Sequence, residues 1–225
     1  MTNTLHRFGD ANSFRDDYVV FAIASRGRND EDSVPKLKKF LQMAREFHPV
    51  NLGDARHGGA LRPSRSMNPL SHWKREITPD FDAVIAGLDT TTTAAAVFDN
   101  RPAAEDFVKA VKAADLGLSI NISTSIDGAE QCCHAADLCR HSVGYSLGFE
   151  GKTEHLPNED VLKLATMCGH GMVSASLAKK MIDWVKEGRR TPEQAVTYLT
   201  RFCSCGVFNP TRGKRILEES RTRTK

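Results

Sequence analysis

The sequence has no long apolar run and no excess of one charge. No stretch of about 18 apolar residues, the length that a transmembrane helix needs, occurs among the 225 residues. Residues 1–17 are polar and charged, without the apolar segment of a secretion signal. The net charge of +3 is too small for the strongly basic face of a dedicated nucleic-acid-binding protein. We therefore expect a cytoplasmic protein with no membrane or nucleic-acid partner.

Several motifs of cofactor-binding proteins are also missing. The chain has no G-x-G-x-x-G dinucleotide motif, no thioredoxin C-x-x-C and no radical-SAM C-x-x-x-C-x-x-C. It also lacks the paired C-x-x-C spacing of a zinc ribbon or a bacterial ferredoxin. The threonine run Thr90–Thr93 does not end in the Gly-Lys-Ser/Thr of a phosphate-binding loop. A functional site must therefore be argued from individual residues.

Short apolar runs alternate with helical patterns over the first two thirds of the chain. The predicted strands are Asp17–Ser25, Asp82–Leu88, Gly117–Ser123 and Val143–Phe149. The predicted helices between them begin at Ser33 and cover Pro102–Ala114 and Gly128–Cys139. Such alternation is typical of βαβ units. It predicts an α/β fold with a mainly parallel sheet of three to four strands.

The last third of the chain has a wholly helical pattern. Helix starts are predicted at Asn158, Thr191-Pro192 and Asn209-Pro210, and Val173–Lys186 has one apolar face. We expect an α/β domain over residues 1–150 and a helical metal-binding subdomain over 151–225. Residues 49–79 have weak periodicity and are predicted to form a long loop, a feature that is often functional.

Glycines flank three of the six cysteines, which we expect to be reduced. Cys168 lies in a Cys-Gly-His-Gly turn, and Cys203 and Cys205 precede Gly206. Glycine allows the backbone to turn around a metal and to point N–H groups at sulfur. A helix that starts just after Cys168 would favour its thiolate. Burial as small apolar side chains is the alternative, but the grouping favours metal ligation.

The fourth ligand has four candidates. Cys132, Cys133 and Cys139 lie on the predicted helix after the third strand, and His170 lies beside Cys168. We predict an iron–sulfur cluster, [4Fe–4S], because the candidate ligands are nearly all cysteine and widely separated; Cys133 is the preferred fourth ligand, with Cys132 beside it. Zinc is the alternative cofactor.

Polar residues follow each of the first three predicted strands. In an open parallel sheet, ligands bind at the carboxyl ends of the strands. Arg26 and Arg28 follow the first strand, Thr91 the second and Ser125 the third. We expect these four side chains to bind a small anionic substrate. The alternative is that the arginines are exposed loop charges and that the hydroxyls cap helices.

Three residues are candidate acids or bases. His57 lies in an Arg-His-Gly-Gly sequence, Asp127 follows the third strand, and His170 lies in the cysteine turn. A surface histidine is the simpler interpretation of His57.

Three functions fit these residues. The first is an iron–sulfur enzyme, a lyase or an oxidoreductase, that acts on a small anionic substrate beside the strand ends. The second is an electron-transfer or maturation partner of a larger complex, with full cysteine ligation. The third is a structural zinc module. A redox partner or a second copy of the chain is the expected protein partner.

Overall fold

A five-stranded sheet lies at the centre of the computed structural model, which describes residues 6–62, 78–146 and 148–223. In spatial order β3-β2-β4-β1-β5, its strands are β1 (Tyr18–Ile23), β2 (Asn51–Asp54), β3 (Gly58–Gly59), β4 (Thr93–Phe98) and β5 (Ser119–Ser123). All neighbouring strands pair antiparallel. The prediction of a mainly parallel sheet of three to four strands is therefore wrong.

Helices connect and cover these strands. In chain order they are α1 (Ser33–Glu46), α2 (Phe81–Gly87), α3 (Arg101–Ala114), α4 (Ile126–Ala135), α5 (Glu159–Ala165), α6 (Ala175–Lys186), α7 (Pro192–Thr200) and α8 (Pro210–Thr222). Two short 3-10 turns lie at Asn12–Phe14 and Thr153–His155.

The antiparallel pairing arises because another strand lies inside each β–α–β connection. Helix α1 joins β1 to β2, which run in the same direction, but β4 lies between them. Helix α3 joins β4 to β5 in the same way, with β1 between them. This is the split form of the β–α–β unit. Alternation along the sequence is the same whether or not the unit is split, so the pattern could not distinguish the two sheets.

The prediction of a strand at residues 82–88 is wrong. Residues 82–88 were predicted as a strand, but they lie mostly in α2, where the Asp80 carboxylate caps the helix by accepting from the Ala83 amide at 2.9 Å. The central strand is instead β4, whose alanines are buried. A short apolar run fits a strand or a buried helix equally well, so periodicity alone does not decide.

Two other segments also differ from the prediction. The predicted strand at 143–149 is not formed by those of its residues that the structure describes. The predicted long loop at 49–79 contains β2 and β3, and its residues 63–77 lie outside the described part of the chain.

The sheet is covered by helices on both faces. Its front face, which includes Val19, Phe21 and Val97, packs against the C-terminal helices α5–α8. Its back face, which includes Val20 and Phe98, packs against α1–α4. The division at residue 150 stays a prediction. None of the described helices is both long and apolar enough to cross a membrane.

The C-terminal helices begin at the capping residues that the sequence indicates. Asn158 accepts from the Val161 amide at 3.0 Å, and Asn209 accepts from the Arg212 amide at 3.0 Å. Thr191 and Gln194 form a reciprocal capping box at the start of α7, before the turn that carries Cys203. The predicted helix starts in this part of the chain are confirmed.

Replacing Thr191 by Ala is expected to lower the free energy of unfolding by about 1 kcal/mol, because an N-terminal amide of α7 loses its acceptor. Urea denaturation followed by circular dichroism measures the change. Thr191→Ser, which keeps the hydroxyl, is the matched control and should cost much less. Equal losses for both variants would contradict the capping assignment.

Candidate metal centre

Two turns of the C-terminal layer bring three cysteines together. Cys168 follows α5, whereas Cys203 and Cys205 follow α7. All three side chains lie in the core on the front face of the sheet, with exposed fractions of 0%, 2% and 5%. The α5 and α7 turns meet because both helices pack on this face.

The sulfur and nitrogen atoms of this group are close enough to share one ion. The Sγ atoms of Cys203 and Cys205 are 3.9 Å apart, and Cys205 Sγ lies 3.3 Å from His170 Nδ1. The ligand atoms of Cys168, His170 and Cys205 all lie within 4.8 Å of one another. Cys203 is outside that group of three but contacts both other thiols. The arrangement could bind a metal ion through thiolates and an imidazole.

Backbone amides point at the sulfur atoms. The Phe208 amide donates to Cys203 Sγ at 3.3 Å. The amides of His170 and Cys205 also donate, each to the cysteine two residues earlier. Gly169 helps to form the first of these turns by adopting a φ of 74°. Such N–H···S contacts stabilise thiolate and therefore favour metal ligation.

The three thiols have unequal acidities. Hydrogen bonds from Cys203 and Cys205, in that order, lower the pKa of Cys168 despite its burial. The hydrogen bond to Cys168 in turn raises the pKa of Cys203 and of Cys205. The thiols are thus coupled through their hydrogen bonds, and a metal ion would take the place of the thiol protons.

Three glycines place the cysteine turn against the β2–β3 hairpin. A Cβ atom added to Gly206 would lie 2.6 Å from Gly53 Cα, and one added to Gly59 would lie 2.3 Å from Gly206 Cα. Real Cβ atoms do not approach backbone this closely. The turn next to Cys205 can therefore touch the hairpin only because glycine occupies all three positions.

The remaining cysteines lie elsewhere. Cys132 is fully buried on α4, among the residues that pack on the back face of the sheet. Cys133 is half-buried on the same helix, and Cys139 is exposed after it. The structure brings His170, not Cys132 or Cys133, to the three cysteines.

The predicted anion-binding residues are divided between the two opposite ends of the strands. The exposed Arg26 and Arg28 follow β1, and Thr91 precedes β4. They lie at the same end of the strands because β1 and β4 are antiparallel. Ser125 and the exposed Asp127 follow β5, at the opposite end of the strands. Thr91 pairs with the Ser33 hydroxyl at 2.8 Å, and Ser125 caps α4 through the Gly128 amide at 3.1 Å.

His57 lies between two carboxylates. Its Nδ1 is 3.1 Å from Oδ2 of the fully buried Asp54, and its Nε2 is 3.1 Å from Oδ1 of the exposed Asp89. Asp54 also accepts from the amides of Arg56 and His57 at 2.8 Å. The imidazole is thus held in one orientation at the end of β2, beside the glycine hairpin.

Sequence reasoning missed the glycines of the hairpin. Gly53 and the pair Gly58-Gly59 are visible in the sequence as backbone positions that tolerate close contact, but nothing there identifies Gly206 as the partner. Arg7, Asp17 and Arg212, which lie buried near the cysteines, had no recognisable signal.

The chain was compared with protein-family models, curated proteins and solved structures, and no match was found.

Proposed function

We propose that the protein binds a single zinc ion through Cys168, Cys203, Cys205 and His170, and that this ion stabilises the junction between the C-terminal helices and the β2–β3 hairpin. The observation that carries the proposal is the spacing of the ligand atoms. A tetrahedral ion with bonds of about 2.3 Å to sulfur and about 2.0 Å to nitrogen places its sulfurs about 3.8 Å apart, and sulfur and nitrogen about 3.5 Å apart. Two of the six distances match, at 3.9 Å between the Sγ atoms of Cys203 and Cys205 and 3.3 Å between Cys205 Sγ and His170 Nδ1. Cys203 lies outside the group of atoms within 4.8 Å of one another, so it would move closer when the ion binds.

A single ion fits this spacing better than the [4Fe–4S] cluster that the sequence favours. A cubane cluster places four irons and four sulfides between its thiolates, so the ligands must surround a much larger group. Sulfur atoms in mutual hydrogen-bond contact, as in Cys203 and Cys205, leave space for one ion. Three cysteines and one histidine are also a common ligand set of structural zinc.

A stabilising role follows from the number of ligands. Four protein ligands fill a tetrahedral zinc ion and leave no position for substrate, as in structural sites. The ligands come from two turns, after α5 and after α7, and the second turn touches β2 and β3 through Gly206. The ion would therefore join three parts of the chain.

An enzyme acting on a small anionic substrate is the second candidate function. The observation in its favour is the imidazole of His57, which the buried Asp54 orients as in many general bases. Arg26, Arg28 and Thr91 lie at the same end of the strands as His57. A screen of small anionic compounds tests this candidate: His57→Gln should lose any turnover that the wild type shows, with metal content unchanged.

Metal analysis of the purified chain tests the zinc proposal. We expect about one zinc per chain and no acid-labile sulfide after purification with and without oxygen. Cobalt substitution should yield the intense visible absorption of a tetrahedral thiolate site. Iron and sulfide in equal amounts would instead support the cluster, and protein that takes up no metal after reduction and reconstitution would overturn both.

A further inference from the structure

A buried cluster of charged side chains lies beside the metal centre. Arg7, Asp17 and Arg212 have exposed side-chain fractions of 2%, 0% and 0%. Both guanidinium groups contact the same oxygen, Oδ2 of Asp17, and Arg212 Nη1 does so at 2.9 Å. The other oxygen, Oδ1, accepts from Asn209 Nδ2 at 3.0 Å. Two cations therefore share one carboxylate, and the cluster has a net charge of +1.

Neighbouring carboxylates offset this charge only in part, because burial lowers the pKa of Arg212 although Asp16 and Asp10 oppose that shift. Asp16 forms a two-pronged contact with Arg215, at 2.7 Å to each of its oxygens. Asp10 is exposed to solvent. The Nε atoms of Arg7 and Arg212 are buried and have no hydrogen-bond acceptor among the described residues. An uncompensated cation inside a protein is costly, so the excess charge requires an anionic neighbour.

The charged cluster lies next to the turn that carries Cys168. The Phe8 amide donates to Thr166 Oγ1 at 2.9 Å, which holds the Arg7 segment against the turn that carries Cys168. Arg212 Nη1 lies 3.7 Å from the sulfur of Met167, the residue before Cys168. Burial and the repulsion of Arg212 lower the pKa of Arg7, and negative charge on Cys168 and Cys205 would oppose both effects.

We propose that Arg7 compensates the negative charge of the metal centre and so raises its affinity for zinc. This inference rests on the proposed function. A divalent ion with three thiolates and a neutral imidazole has a net charge of −1, and the cluster of Arg7, Arg212 and Asp17 has a net charge of +1. Together they are neutral, which lowers the cost of burying either charge. Zinc binding should therefore favour docking of the Arg7 segment on the Cys168 turn, and docking of the segment should favour zinc binding.

Two substitutions of Arg7 separate charge from shape. Arg7→Gln removes the charge but keeps a hydrogen-bond donor for Ser123, which Arg7 contacts at 3.3 Å. Arg7→Lys keeps the charge but loses the planar fork. Zinc affinity is measured by competition with a chelator of known affinity. We expect Arg7→Gln to weaken zinc binding by roughly 10- to 100-fold, as the loss of an outer partner of a metal site does. Arg7→Lys should retain most of the affinity.

Arg15→Gln is the matched control. Arg15 lies in the same segment, but its partner Glu219 is on the surface and its own side chain is 45% exposed. It should leave zinc affinity unchanged. Equal affinity of the wild type and Arg7→Gln would overturn the inference, and so would equal losses in Arg7→Gln and Arg7→Lys. A wild-type protein that takes up no zinc would overturn the proposed function itself.

If Arg7→Gln does not fold, a measurement on the wild type still tests the proposal. Hydrogen exchange of the Phe8 amide reports whether the Arg7 segment is docked. We expect this amide to be more strongly protected with zinc than without it, while the amides of the buried central strand β4 serve as an internal reference for global opening. Equal protection of Phe8 in both states would overturn the inference.

Discussion

Cys205→Ser is expected to abolish zinc binding. Cys205 Sγ is the central atom of the group, because it contacts Cys203 Sγ at 3.9 Å and His170 Nδ1 at 3.3 Å and also interacts with Cys168. Without this thiolate the ion loses one of four ligands and part of the charge that holds it. Zinc content should fall from about one per chain to near zero.

The same substitution should strongly destabilise the fold. Zinc binding to closed thiolate sites contributes about 10–16 kcal/mol in small zinc-finger peptides, part of which is folding free energy. We therefore expect a loss beyond the 0.5–3 kcal/mol that is roughly usual for single substitutions. Chemical denaturation with zinc present measures it, and adding a strong chelator to the wild type should reproduce most of the loss.

Cys132→Ser is the matched control for this experiment. Cys132 is as buried as the three cysteine ligands, at 0% exposed, but it packs on the back face of the sheet. The variant should retain its zinc and lose only the stability expected for a buried hydroxyl, about 1–3 kcal/mol. Full zinc content in Cys205→Ser would disprove the assignment of this ligand. Loss of zinc in both variants would indicate general unfolding instead.

Gly206→Ala is expected to destabilise the protein almost as strongly. Its φ of 74° is unfavourable for a residue with a Cβ. The added atom would lie 2.6 Å from Gly53 Cα and 2.7 Å from Gly53 N, which are backbone atoms of a paired strand and cannot move freely. The cysteine turn must therefore withdraw from the hairpin. We expect a loss of more than about 3 kcal/mol, at the upper end of overpacking effects, together with weaker zinc binding.

Gly188→Ala separates the steric effect from the backbone effect. Gly188 has almost the same φ, 71°, but no atom lies within 4 Å of a Cβ built there. Its substitution should cost only the left-handed backbone term, about 1–2 kcal/mol, and leave zinc affinity unchanged. Urea denaturation of both variants in excess zinc makes the comparison. If the two losses are equal, the close contact of Gly206 with Gly53 contributes nothing to stability.

Helix boundaries could be predicted from the sequence because their causes are local. Asn158, Thr191 and Asn209 cap the amides three residues later, and these contacts depend on adjacent residues alone. The three cysteines were recognisable for a similar reason, since glycines beside them mark turns where a metal can be bound. The number and identity of the ligands could not be derived in this way.

Strand pairing could not be predicted because it is not a local property. The alternation of strands and helices is compatible with adjacent or split β–α–β units, and here β4 lies between β1 and β2. The consequence reaches the site residues. A parallel sheet would place Ser125 and Asp127 beside Arg26 and Thr91. In the structure they lie at the opposite end of the strands.

The sequence by itself determined the helix starts, the cysteine turns and the absence of several cofactor motifs, because each depends on residues a few positions apart. Only the tertiary structure decided that His170 joins Cys168 and Cys205, that Gly206 contacts Gly53, and that the buried Arg7 and Arg212 share Asp17. His170 and Cys205 are 35 positions apart, and Gly53 and Gly206 are 153 positions apart. These contacts depend on how the helices pack on the sheet, which no short pattern encodes.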